Sequence, residues 1–172
     1  MRYTAYIGLG SNLASSVGDS AETVRAAIQA LGELGGVVAQ SSLYQTAPVG
    51  YREQPDFINA VAVLETRLEP ESLLRKMLAI ERSFGRDRRV SVPKGSRTLD
   101  LDLLLAHDVR SDAVVCESDA LTLPHPEMEK RRFVLQPLAE IAAELRHPVL
   151  GKTMQELLDE LPDRGDDVTR IE

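Results

Sequence analysis

Two hydrophobic periods divide the chain. Residues 3–9 (YTAYIGL) are an apolar run closed by Gly10-Ser11-Asn12, which predicts a short buried strand ending in a turn. The period then lengthens. Val24, Ala27, Ile28, Leu31 and Leu34 recur at helical spacing behind an Asp19/Glu22 capping pair, and Gly35-Gly36 supplies the stop. Residues 37–44 (VVAQSSLY) fit a strand, the aperiodic 45–55 (QTAPVGYREQP) a loop, and 57–64 (FINAVAVL) the next strand. Glu69-Pro70 opens a second helix with Leu73, Met77, Ile80 and Phe84 as its apolar stripe and Gly85 as its end. A basic loop over 86–96 feeds a strand at 98–105 (TLDLDLLL). Val114-Val115 and Leu121-Thr122-Leu123 can pair as a small hairpin before Pro124. Residues 133–145 and 153–161 are helical in pattern, the first interrupted by Pro137.

This order, β-α-β-β-α-β with additions, predicts an α+β fold: a ferredoxin-like βαββαβ antiparallel sandwich with a C-terminal hairpin and helical extension. Without internal repeats or low-complexity tracts, residues 1–172 are expected to form one catalytic domain. Aromatics make up only 4% of the chain and Trp is absent, so aliphatic side chains must fill the core. No apolar window approaches a membrane span or a signal peptide, and a cytoplasmic location is expected. The single cysteine, Cys116, reads as a plain thiol without a role.

Charge narrows the function. A net charge of -7 argues against nucleic-acid binding, yet Glu81 to Arg97 holds six basic residues (Arg82, Arg86, Arg88, Arg89, Lys94, Arg97) against two acidic ones. Such a local cationic segment suits a small polyanion.

Asp100 and Asp102 share one face if their segment is a strand, as the alternation of Leu99, Leu101 and Leu103 requires. Two ionised carboxylates about 4 Å apart repel by about 4 kcal/mol at an effective dielectric of 20, a cost that a divalent cation removes. Carboxylates with substrate phosphates are the usual seat of magnesium. A solvated strand face is the plainer alternative. Arg97 and the loop arginines can bring guanidinium forks to the same phosphates. Glu81 closes the second helix beside that loop, either pairing with an arginine or lying on the surface. His125, held between Pro124 and Pro126, can donate to a phosphate oxygen, with Arg131 nearby in sequence. Phe57 and Asn59 share a strand face, which sets an aromatic ring beside an amide. The GLGSN cluster (8–12) lacks P-loop spacing and reads as a close turn.

Taken together, GLGSNL (8–13), YQTAPVG (44–50), QPDFINAV (54–61), RTLDLDLLL (97–105) and LPHPEMEKRRFVLQPLAEIA (123–142) resemble the 6-hydroxymethyl-7,8-dihydropterin pyrophosphokinase family of the folate pathway. The resemblance runs in order over nearly the whole chain. It implies an ATP-dependent diphosphate transfer in which Asp100 and Asp102 bridge two magnesium ions. It further implies that Arg86, Arg88, Arg97, His125 and Arg131 hold the triphosphate, with Glu81 on the nucleotide side and Arg86 and Arg97 counted with the aspartates as catalytic. The pterin would lie between Phe57 and Phe133, read by Asn59 and by backbone groups of Thr46, Pro48 and Val49. Lys94 and Ser96 stand near places where relatives carry an aromatic residue and a proline, Ala47 replaces a proline, and Phe57 stands where Tyr is frequent. The expected partners are small molecules, ATP and the pterin, acting on a monomer without nucleic acid or membrane. Two other readings compete: a non-catalytic nucleotide-binding module of the same fold, and an RNA-binding α+β domain, against which the acidic balance counts.

Overall fold

The computed structural model describes residues 2–48, 53–85, 97–162 and 168–172. Strand β1 (Tyr3–Ser11) leads into helix α1 (Ser20–Leu31), then β2 (Gly36–Gln40), β3 (Tyr44–Thr46), β4 (Phe57–Thr66), α2 (Pro70–Ser83) and β5 (Asp100–His107). The two-residue strands β6 (Cys116–Glu117) and β7 (Thr122–Leu123) form the hairpin. Helices α3 (Arg132–Ala142) and α4 (Met154–Glu160) and strand β8 (Val168–Arg170) follow.

The main sheet runs β5-β1-β4-β3-β8, with β2 also on β4, and every pairing is antiparallel. This is the ferredoxin-like α+β arrangement. β1 lies between β4 and β5, and α1 and α2 pack on one face through Val24, Ala27, Leu31, Leu73 and Met77 against Ala5, Ile7, Ala62, Leu64, Leu101 and Leu103. The opposite face carries α3 and α4, whose Leu135, Leu138, Met154 and Leu157 bury Val61, Leu104 and Leu105. Burying a Leu-sized side chain contributes about 1.5–3 kcal/mol, so both faces are strongly driven to be covered.

Local chemistry sets the boundaries. Asp19 and Glu22 close α1 as a reciprocal capping box, as the sequence predicts. The helix stops at Leu31, before Leu34, and the chain reaches Gly35, where a Cβ would stand 2.1 Å from the Glu65 carbonyl oxygen. Only glycine permits that approach. The single strand expected over 37–44 is instead two, because Ser41 interrupts it: its N–H donates to the Val61 carbonyl at 2.8 Å, and its Oγ accepts from Val61 N–H at 2.9 Å. A side-chain oxygen thus takes a backbone carbonyl's place. The turn expected at Gly10-Ser11 is also absent, since both residues continue β1, Gly10 between β4 and β5 and Ser11 against β4. Pro137 does not break α3, which passes through it with the proline buried and Phe133 deprived of one helical partner.

His147 pins the loop before α4. Its Nδ1 accepts from the N–H groups of Val149 and Leu150 at 3.3 and 3.1 Å, and the residue is buried. Burial holds its imidazole below the ordinary value, against a weaker upward pull from Glu129. A histidine whose folded pKa is depressed contributes stability above its unfolded pKa of about 6.5 and loses it as pH falls through the folded value. The stability advantage of the wild type over His147→Gln should therefore be greatest above pH 7 and shrink toward pH 5. Melting curves across that range check this, and an advantage that grows on acidification would contradict it.

Candidate active site

Strand alternation decides what the α3 face of the sheet presents. Ile7 and Leu9 of β1 point into the α1/α2 core, so Gly8 and Gly10 lie on the other face. On β5, Leu101 and Leu103 take the core side, leaving Asp100 and Asp102 on the face of the glycines. The register sets Asp100 and Asn59 on either side of Gly10, and Asp102 and Val61 on either side of Gly8. The sheet thus offers carboxylates on one strand and Phe57 and Asn59 two strands away, with no side chains between them.

A cavity of about 320 Å³ opens over this floor. Phe57, Asn59 and Thr46 line one end and Arg97, Asp100 and Asp102 the other, while Lys130, Arg131, Arg132 and Phe133 descend from the start of α3. Asn59 is 6% exposed and donates through Nδ2 to Thr46 Oγ1 at 2.9 Å. That bond leaves its Oδ1 over Gly10, where an added Cβ would come within 2.9 Å of it. The amide is thereby oriented before any ligand arrives.

Arg97 reaches Asp100 at 3.0 Å, with both side chains mostly buried, and its Nε is buried without a hydrogen-bond partner among the described residues. A buried guanidinium donor left over in a cavity is an anion-binding group by chemistry. Asn12, 3% exposed, fixes the backbone there: its Oδ1 accepts from Arg97 N–H at 2.7 Å, and its Nδ2 donates to Gln54 Oε1 and to the Pro55 carbonyl.

His125 is set beside the carboxylates by its own N–H, which donates to the Leu104 carbonyl at 2.8 Å. Its Nδ1 accepts from Glu127 N–H, which places the proton of the neutral ring on Nε2, 3.9 Å from Asp102 Oδ1. Burial, then the Arg131 guanidinium, hold the imidazole below its usual value against Glu127, Asp100 and Glu129. Arg131 pairs with Glu127 at 2.6 Å and lies 5.6 Å from the Phe133 ring centre.

Eight of the sequence-predicted residues therefore meet in one cavity: Thr46, Phe57, Asn59, Arg97, Asp100, Asp102, Arg131 and Phe133. His125 lines a second, wider groove beside the hairpin, next to Asp102. Glu81 is 1% exposed and accepts from Leu101 N–H at 2.7 Å, so it lies beneath β5 and fixes the strand that bears the aspartates. Pro48 is buried and is not among the residues lining the cavity. Val49, Arg86 and Arg88, with Lys94 and Ser96, fall outside the described residues. Gly8, Gly10, Asn12, Lys130, Arg132 and Val168 join the site without having been singled out as such from sequence.

The model of the 7,8-dihydro-6-hydroxymethylpterin-pyrophosphokinase (HPPK) family matches residues 6–143. The chain belongs to the HPPK family. It is 43% identical over 147 residues to the 2-amino-4-hydroxy-6-hydroxymethyldihydropteridine pyrophosphokinase of Haemophilus influenzae, covering 84% of this chain and 85% of that protein. The protein of the same name from Pseudomonas aeruginosa is 42% identical over 162 residues, 93% of each chain. The folic acid synthesis protein fol1 of Schizosaccharomyces pombe is 40% identical over 163 residues, which are 94% of this chain but only 21% of that larger protein. Among solved structures, the HPPK-DHPS protein of Plasmodium falciparum superposes with a TM-score of 0.69 at 16% identity, over 93% of this chain and 43% of that one. That likeness shows the HPPK fold.

Gly10→Ala tests the packing of the cavity floor. The new methyl must displace the Asn59 amide, and overpacking of this kind costs about 1–3 kcal/mol. A lower urea midpoint is expected, together with a shift of the Asn59 side-chain amide resonances as the bond to Thr46 is lost. Unmoved Asn59 resonances would show that the floor tolerates a side chain.

Proposed function

We propose that this chain transfers the diphosphate of ATP to the hydroxymethyl oxygen of 6-hydroxymethyl-7,8-dihydropterin, with release of AMP, as a step of folate biosynthesis. The observation that carries this reading is the meeting, in one cavity, of a carboxylate pair and cations at one end with aromatic rings and an oriented amide at the other. The HPPK membership supports it.

The donor set fits magnesium. Asp100 and Asp102 supply hard oxygen ligands on one face, and no group of three or more His, Cys, Asp or Glu among the described residues forms a full protein cage. Magnesium held by one or two carboxylates completes its shell with phosphates and water. We assign Asp100 and Asp102 to two magnesium ions, which when bound neutralise charge on the triphosphate.

The chain's own groups do the rest by position and charge. Arg97, Lys130, Arg131 and Arg132 offset phosphate charge, and His125 donates from Nε2. Arg86 and Arg88 are assigned to the triphosphate, and Glu81 to support of its seat. The pterin stacks between Phe57 and Phe133, with Asn59 and Thr46 reading its polar edge and Pro48 and Val49 supplying backbone contacts. The pterin hydroxymethyl oxygen attacks the β-phosphorus in line, the bond from that phosphorus to the bridging oxygen of the α-phosphate breaks, and the hydroxyl proton leaves to solvent. Holding two reactants in line replaces an improbable encounter, which is the larger part of catalysis in this reaction class. We further infer one catalytic domain acting as a cytoplasmic monomer. Among the described residues no helix is long and apolar enough to cross a membrane.

Product analysis with ATP, magnesium and the pterin should give AMP and diphosphorylated pterin in equal amounts, dependent on both magnesium and pterin. ADP would mean that the γ-phosphorus is attacked, and nucleotide binding without product would favour a binding module. Asp100→Ala and Asp102→Ala should each lower kcat by at least about a thousandfold, some 4 kcal/mol of transition-state stabilisation, with melting temperature nearly kept. Near-normal turnover in either would defeat the metal assignment.

A further inference from the structure

Strand β8 is small, exposed along most of its length, and absent from both hydrophobic clusters. It nonetheless has four attachments. It pairs with β3 in the register Tyr44↔Arg170, Gln45↔Thr169 and Thr46↔Val168. Just beyond it, Ile171 N–H donates to the Leu43 carbonyl at 2.9 Å, and Glu172 pairs with Arg25 of α1. Arg170 also lies in the field of Glu140, which accepts from Tyr44 O–H at 2.5 Å and from Ser42 N–H and Oγ.

That Glu140 cluster ties the wall together. Burial pushes the Glu140 carboxyl up, but the hydrogen bonds from Tyr44 and Ser42 and the Arg170 charge outweigh it and leave the group below its usual value. The Tyr44 hydroxyl is pushed up to about 12 by burial and by Glu140, with Arg170 opposing. The hydrogen bonds join α3 to β3 and the residues just before it, and Arg170 of β8, paired with Tyr44 in the ladder, borders them. Since α3 bears Phe133 and β3 bears Thr46, the same cluster sets the distance between two sides of the cavity.

The one β8 side chain that is not exposed is Val168, and it lines the cavity directly across from Thr46. Thr46 is occupied by the Asn59 amide, so this corner joins a fixed polar edge to an apolar stop. We propose that β8 is the outer wall of the ring-binding end of the cavity and that Val168 is a specificity-determining residue, limiting the substituents a reduced pterin can carry there. β8 lies beyond the residues 6–143 that match the family, so this stop is set by a segment outside that match. The inference rests on the pyrophosphokinase reading of the cavity.

The test uses the full chain with Val168→Phe and Val168→Ala, both at a position outside the cores. The ligands are 6-hydroxymethylpterin, a ring-alkylated analogue of it, and a nonhydrolysable ATP analogue, titrated calorimetrically. Val168→Phe should weaken pterin binding by at least about tenfold while nucleotide affinity stays within about twofold. Val168→Ala should improve binding of the alkylated analogue relative to the parent by about fivefold or more. Pterin affinity unchanged in Val168→Phe, an equal loss of both ligands, or no change of preference in Val168→Ala would each overturn the wall assignment. If the unmodified chain binds no pterin, the pyrophosphokinase reading itself fails and the inference with it.

Discussion

Strand β1 is hydrogen-bonded along both of its edges, to β4 on one side and β5 on the other, and its register decides which side chains face the cavity. A slip of one residue would turn Ile7 and Leu9 out of the core and carry Gly8 and Gly10 into it. The buried face therefore locks the functional one. The pairing with β5 shifts between Tyr6 and Ile7, where Leu104 is the extra residue. Leu104 and Leu105 consequently both serve the α3/α4 cluster, whereas Leu103 and Ala106 on either side serve the α1/α2 core. The polar stretch of β5 lies at one end: Asp100 and Asp102 face the cavity, and beyond them the same face turns apolar.

Electrostatics follows from that geometry rather than from net charge. The chain carries a formal charge of -7, yet Arg97, Lys130, Arg131 and Arg132 converge on the cavity against Asp100, Asp102 and Glu127. Charges within a Debye length of about 8–10 Å act on a bound group while more distant ones are screened. A phosphate chain in the cavity thus meets the local arrangement. Two of the cations are already committed, Arg97 to Asp100 and Arg131 to Glu127. These pairs hold the guanidinium groups in place at the expense of net attraction for a further anion.

Much of this was legible in the sequence because it rests on period and capping. Alternation through Leu99, Leu101 and Leu103 placed Asp100 and Asp102 on one face, and the Asp19/Glu22 box fixed the start of α1. The misses share a cause, which is that one residue type serves two physical purposes. Gly10 reads as a turn, but glycine also fits a strand where a neighbour approaches closely, and Asn59 is that neighbour. Ser41 reads as a strand residue, yet its hydroxyl takes over a ladder bond. Pro137 reads as a break, though a buried helix can forgo one hydrogen bond when tertiary packing holds it. Glu81 could have been placed better, since with Leu73 and Met77 it completes an i, i+4, i+8 row on the face that α2 buries. A carboxylate in such a row needs an internal donor, and Leu101 N–H supplies one.

Asn12 shows why the two ends of the cavity are not independent. A single buried amide holds the end of β1, the Gln54-Pro55 segment that leads into Phe57, and the backbone of Arg97. Both backbone N–H groups at Asn12 and Leu13 also donate to the Arg97 carbonyl, at 3.0 and 3.1 Å. The approach to the aromatic end and the anchor of the cationic end therefore share one set of hydrogen bonds. Moving Arg97 by more than a few tenths of an ångström must strain or break bonds that also position the chain entering β4, because hydrogen bonds weaken steeply outside a narrow range of length and angle. Two ends of the cavity built on different strands thereby have one mechanical reference, at the end of the strand that lies between them.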